Sequence, residues 1–161
     1  MLFLLDANVL IRAHEDYYPI DRIPQFWEWL SVEAADGHVK VPFEIYHEIY
    51  PSEGPFRDWL LDEKIQEVLI LHEEVDRALF NRIVDKAYAP DLTDTELEEI
   101  GRDPFLIAYA MAGRQRAVVT KEVKKPSKHR GRRKLPDACD DMGVPWILDF
   151  EFYRRRDFRI R

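Results

Sequence analysis

The chain has 161 residues, 46% hydrophobic and 12% aromatic, which gives a single domain with a real core and excludes a disordered chain. One cysteine, Cys139, excludes a disulfide framework and argues against a structural zinc site; no apolar run reaches the ~18 residues of a membrane span, and the apolar start is too short and lacks the basic flank of a secretory signal, so no membrane partner and a cytoplasmic location are expected. The formal net charge is −7, yet residues 121–134 (KEVKKPSKHRGRRK) carry +7 and leave −14 on the rest, an acidic body with one positive patch.

In chain order, Leu2–Leu5 reads as a short buried strand and Asn8–His14 continues with helical spacing. Pro24 opens an aromatic helix, PQFWEWLSVEAAD, which Gly37 ends. In it Phe26, Trp29 and Leu30 are expected in the core, while Trp27 is free to join a homodimer contact. His38–Val41 reads as a strand, and Pro42 opens the helix PFEIYHEIY, closed by Pro51. Gly54-Pro55 turns into a short helix, Gln66–Leu71 reads as a strand, and Glu73–Ala87 as a helix. Thr93 and Glu96 fit a capping box, and Asp103-Pro104 starts the helix DPFLIAYAMAG. Ala117–Thr120 is a strand, followed by a basic loop insertion at 123–134, the short helix PDACDDMG, the strand Val144–Asp149 and an arginine-rich closing helix. Short apolar strands alternating with helices predict one α/β domain over residues 1–161, a three-layer α/β/α sandwich around a short parallel sheet.

Acids fall where such a sheet binds ligands, at the carboxyl ends of its strands. Asp6 follows LFLL directly, and stranding its charge among apolar neighbours is costly without hydrogen bonds or a cation. Glu122 follows AVVT by one residue. Asp103 stands at a helix N-terminus, where a capping role would also account for it. Glu44 and Glu48, four apart, share a helical face that an ordinary solvated role would also explain.

The segments LLDANVLI, IYHEI, DPFLIAYA and VVTKE occur in the order seen in PIN-domain ribonucleases, which the chain resembles from Leu2 to about Phe152. It is similar to the VapC-like toxins, and more so to a PIN subgroup of uncertain function found beside helix-turn-helix, antitoxin-like proteins. The resemblance implies a PIN-like sandwich whose acids are Asp6, Glu48 (with Glu44 one turn away), Asp103 and Glu122. The fourth family acid is usually Asp, so Glu122 is a departure and Asp137 in LPDAC stands as an alternative metal ligand.

Converging carboxylates repel unless a cation neutralises them, and a hard divalent ion such as Mg²⁺ or Mn²⁺ takes oxygen ligands. The expected activity is therefore metal-dependent endoribonuclease hydrolysis, with Asn8, Thr120 and Glu44 supporting the acids. Lys124, Lys125, Lys128, Arg130, Arg132 and Arg133 would attract the RNA backbone. The resemblance further implies a toxin–antitoxin pair, with a cognate antitoxin as partner. Two rivals stand beside this: a PIN-fold module that binds RNA or protein without cleaving, and a metal-dependent DNA nuclease. No HExxH, GxSxG, P-loop or GxGxxG is present.

Overall fold

The structure, a computed structural model, describes all residues from Met1 to Arg161. Five short strands form one sheet: β1 (Leu2–Leu5), β2 (Val39–Pro42), β3 (Ile70–Leu71), β4 (Arg116–Thr120) and β5 (Trp146–Leu148), in the spatial order β3-β2-β1-β4-β5. Every neighbouring pair is parallel, with Leu5 opposite Val119 and Thr120 opposite Leu148. Helices cover the sheet on both faces, so the domain is the expected three-layer α/β/α sandwich. This is why the central strands lack alternation: Phe3, Leu4 and Leu5 of β1, and Ala117, Val118 and Val119 of β4, are all buried, because both sheet faces meet helices. No helix is long and apolar enough to cross a membrane.

The first crossover runs through α1 (Ala7–Arg12), a π-helical turn (Ala13–Tyr17) and α2 (Pro24–Ala35). In α2 it is Phe26, Trp27 and Leu30 that are buried, and Trp29 is half-buried. Trp27 is therefore a core residue and offers no dimer contact. Its indole N–H donates to Tyr18 O (2.7 Å), and its ring packs edge-on against Trp59 and tilted against Phe56. The cause is π-helical widening before α2, which carries Tyr18 under the helix, where it stacks on Phe26.

After β2 the helix that Pro42 opens, α3 (Phe43–Tyr46), is shorter than the expected run to Tyr50. It closes through i→i+3 bonds from Glu48 N–H to Ile45 O (3.1 Å) and Ile49 N–H to Tyr46 O (3.2 Å), so Glu48 lies in the tightened turn rather than one helical turn above Glu44. Next come α4 (Pro55–Leu61) and α5 (Glu63–Leu69). The expected strand over Gln66–Leu71 is mostly the end of α5, because Asp62 caps that helix by accepting from Lys64 N–H (2.8 Å); only Ile70 and Leu71 join the sheet. Likewise α6 (Arg77–Ile83) begins at the cap Asp76, not at Glu73. The chain continues through a second π-helical turn (Val84–Tyr88), α7 (Asp94–Ile100) with the predicted Thr93/Glu96 capping box, and α8 (Asp103–Met111). Beyond β4 lie the basic loop, α9 (Leu135–Asp141), β5 and α10 (Asp149–Arg155).

Candidate active site

The strand order turns back at β1, so the carboxyl ends of β1 and β4 lie side by side at the topological switch point. Asp6 leaves β1 here. Its carbonyl accepts from Val9 N–H (3.1 Å) to begin α1, but its side chain caps nothing in that helix. Instead Asp6 Oδ2 accepts from Thr120 Oγ1 (3.0 Å), the last residue of β4, and from Asn8 Nδ2 (2.7 Å). Asn8 Oδ1 accepts from Lys121 N–H (3.2 Å), and Thr120 Oγ1 accepts from Glu122 N–H (3.1 Å). One hydrogen-bonded chain thus joins Asp6, Asn8, Thr120 and Glu122 across two strand ends, and it answers how a carboxylate only 6% exposed survives after LFLL.

Asp103 comes to the same place from α8. It is the first helical residue, the cap position belongs to Arg102, and no side chain caps this helix end. The simple capping role is therefore excluded, and the Asp103 carboxyl has no hydrogen-bond duty within its own helix. Burial holds it well above the usual carboxylate range, and repulsion from Asp6, Glu122 and Glu48 adds to the shift. Asp6 is likewise pushed up to about 7, first by burial and then by Glu122 and Glu48, while the Thr120 hydrogen bond opposes the rise. Glu48 is also raised by burial, against the pull of Arg102, whose Nε lies 3.1 Å from its Oε1. Asp6 and Asp103 are the two carboxyls on which the neighbouring acids act.

Glu44 does not belong with them. Its carboxylate accepts from Tyr109 Oη (2.8 Å) and lines a separate cavity with Val75, Arg77, Phe80 and Phe105, so it supports none of the acids. Asp137 is buried near the start of α9 and accepts from Lys125 N–H (2.9 Å), a staple of the basic loop, and it is not among the groups that shift Asp6 or Asp103. Between the two alternatives, Glu122 is the acid that the geometry brings to Asp6 and Asp103. Glu122 Oε2 accepts from Leu135 N–H (3.0 Å), which ties it to the first turn of α9.

The basic loop is exposed along most of its length but is anchored to the fold at several points. Arg130 forms ion pairs with Asp91 (2.9 Å) and Glu96 (2.8 Å) and lays the loop on α7. Gly131 packs so close to α7 that a Cβ there would come within 2.9 Å of Glu96 Cβ and 3.0 Å of its backbone. Arg133 pairs with Asp141 and donates to Ala87 O (2.7 Å), and Lys124 pairs with Asp140. Of the six cations expected to attract RNA, Lys124, Arg130 and Arg133 are thus engaged within the fold, and Lys125, Lys128 and Arg132 make no ion pair. Lys128, Arg132, Arg133 and Lys134 line a cavity of about 440 Å³ together with Asp103, Glu122 and Glu99. Lys121, which the sequence offers as a partner for Glu122, makes no ion pair, and with Arg12 and Lys134, not singled out by the sequence, it lines a further cavity beside Glu122. The available signal was position: Lys121 and Lys134 flank the loop next to Glu122 and Leu135.

No group of three or more Asp, Glu, His or Cys side chains is arranged to hold a metal ion. The donors fit a hard divalent cation in kind: all are carboxylate oxygens, two of them raised by burial and mutual repulsion that a cation would relieve. They are not gathered into a closed set, since Glu122 is held by Leu135 N–H and Glu48 by Arg102. Searches among curated proteins and among solved structures give no match. A family model described as a domain of unknown function, DUF4411, matches residues 3–160, and the chain belongs to that family.

Proposed function

We propose that the protein is a divalent-cation-dependent ribonuclease of PIN type, the toxin component of a toxin–antitoxin pair. The observation that carries this reading is Asp103: a carboxyl with no capping role, raised by burial and by repulsion from Asp6, Glu122 and Glu48. A buried Asp6 and a half-buried Asp103 that raise each other's proton affinity at a strand-end crevice are a functional signature, because a purely structural role would pair Asp103.

In this reading Asp6 and Asp103 hold Mg²⁺ or Mn²⁺, with Glu48 and Glu122 alongside. When bound, such an ion supplies a water of lowered pKa and offsets charge on a phosphodiester. Thr120 and Asn8 fix the orientation of Asp6 through the two bonds to its Oδ2. Lys128, Arg132 and Lys134 draw the RNA backbone to a crevice that its acids would otherwise make repulsive. A cognate antitoxin would silence the enzyme by placing a cation among the acids.

The test is incubation of labelled single-stranded RNA, duplex RNA, transfer RNA and single-stranded DNA with the protein, in Mn²⁺ or in chelator. Metal-dependent RNA cleavage that disappears in Asp6→Asn and Asp103→Asn is expected. Cleavage that persists in both variants would refute the site, and preferential DNA cleavage would replace the substrate. A second reading, an RNA-binding module without catalysis, is favoured by the ungathered donor set. It predicts RNA binding with no cleavage under any condition.

A further inference from the structure

A second cavity, of about 320 Å³, opens on the other side of Glu122, lined by Arg12, Lys121, Val123, Lys125 and Lys134. The backbone that carries its lysines is anchored by the fold. Lys121 is fixed through its N–H to Asn8 Oδ1 (3.2 Å), and Lys125 through its N–H to the buried Asp137 (2.9 Å). Lys134 directly precedes α9, whose Leu135 N–H is bonded to Glu122. None of the three lysines makes an ion pair, although Lys124 beside them does. Arg12 also lines the cavity. Its guanidinium lies 4.8 Å from the Tyr17 ring centroid and 5.4 Å from that of Phe150, and Asp149, 2% exposed, stands 3.6 Å behind its Nε.

The charge count is selective. Asp149 balances Arg12, and three lysines against Glu122 leave +2. An internal phosphodiester carries only −1, whereas a terminal phosphate monoester carries close to −2 at pH 7 and offers three acceptor oxygens. The cavity also adjoins the acids, because Lys134 lines both cavities and its charge acts on Asp103. We propose that this cavity is a pocket for the terminal phosphate monoester of an RNA strand, so that the substrate is read from a phosphorylated end lying next to the acidic crevice. The proposal rests on the ribonuclease reading for its substrate, but its test does not depend on cleavage.

The test measures binding in chelator, by fluorescence anisotropy, of one short single-stranded RNA in three forms: 5′-phosphorylated, 3′-phosphorylated, and hydroxyl at both ends. One phosphorylated form should bind at least about tenfold more tightly than the hydroxyl form, the scale of a few charge-assisted hydrogen bonds to a dianion. The ratio should collapse to near one in the double variant Lys121→Gln/Lys125→Gln, whose side chains are exposed, and should recover in Lys121→Arg/Lys125→Arg. It should be unchanged in Glu44→Gln, at a residue that lines a separate cavity. Arg12→Gln should also lose it, and is read only if its melting curve shows a folded protein. Equal binding of all three forms by the wild-type protein would overturn the proposal, as would a preference that survives the lysine substitutions. End preference without metal-dependent cleavage would leave the pocket standing and sink the nuclease; cleavage without end preference would do the reverse.

Discussion

In chelator, Asp6→Asn should make the protein more stable at neutral pH, although it removes the residue on which the proposed chemistry depends. Asp6 is 6% exposed, and burial with repulsion from Glu122 and Glu48 lifts it from 3.8 to about 7. The folded chain therefore holds this proton more tightly than the unfolded chain does. Stability is fully present below the unfolded value and is lost as pH rises through the folded one, so the affected window runs from about pH 4 to pH 7. A shift of about three units corresponds to ~4 kcal/mol, an upper figure because the neighbouring acids share the same repulsion. Asn carries no proton, keeps an oxygen that can accept from Thr120 and Asn8, and frees Asp103 from one neighbouring charge. At about 2–4 °C per kcal/mol for a chain of this size, the gain at pH 8 should be on the order of 10 °C. Thermal melts of both proteins in EDTA, from pH 4 to pH 8, check this. The wild-type melting temperature should fall across the window and the variant's should stay flatter. Parallel profiles, or a variant less stable at pH 8, would refute the burial-and-repulsion account of Asp6.

Mn²⁺ should raise the wild-type melting temperature, by the equivalent of about 2.7 kcal/mol at a hundredfold excess over its Kd, and Asp103→Asn should lose most of that rise in the same melts. Gly131→Ala should push the loop off α7, because its Cβ would meet Glu96 at 2.9 Å; trypsin should then cut within residues 124–134 faster than in wild type. Thr93→Ala removes the half of the capping box in which the hydroxyl accepts from Glu96 N–H, and should cost about 1 kcal/mol in urea unfolding, with no change in Mn²⁺ response. Neutralising Lys128 and Arg132 should weaken RNA binding and flatten its salt dependence, whereas neutralising Lys124, which is paired with Asp140, should change that slope less.

The layers of the fold were legible because burial on both faces leaves apolar strands that Pro and Gly punctuate clearly. Asp6 and Asp103 were legible for a related reason: a charge at the edge of an apolar run conflicts with its surroundings. Gln66–Leu69 misled because QEVLIL is apolar enough for a strand, and a single cap at Asp62 decides the matter. Trp27 misled because helical spacing alone does not register the Tyr18 segment that the π-helical turn slides beneath α2. The fate of the loop lay beyond sequence reading. Arg130 and Arg133 are paired by acids from α7, the preceding loop and α9, and Asp137 proved to be a staple for Lys125 only once α9 had closed over the loop.

The Asp6–Thr120 hydrogen bond joins residues 114 positions apart, and Asp103 and Glu122 come from the same late stretch of chain. On a ribosome, Asp6 is made well before Thr120, and their bond cannot form until β4 has been synthesised and can pair beside β1. Neither the crevice nor its basic loop exists in any shorter nascent chain. Pairing of such high sequence separation is also slow to form. Whatever chemistry the acids perform therefore cannot begin before β4 is made, and assembly of the central strand pair acts as a timer on the birth of the site.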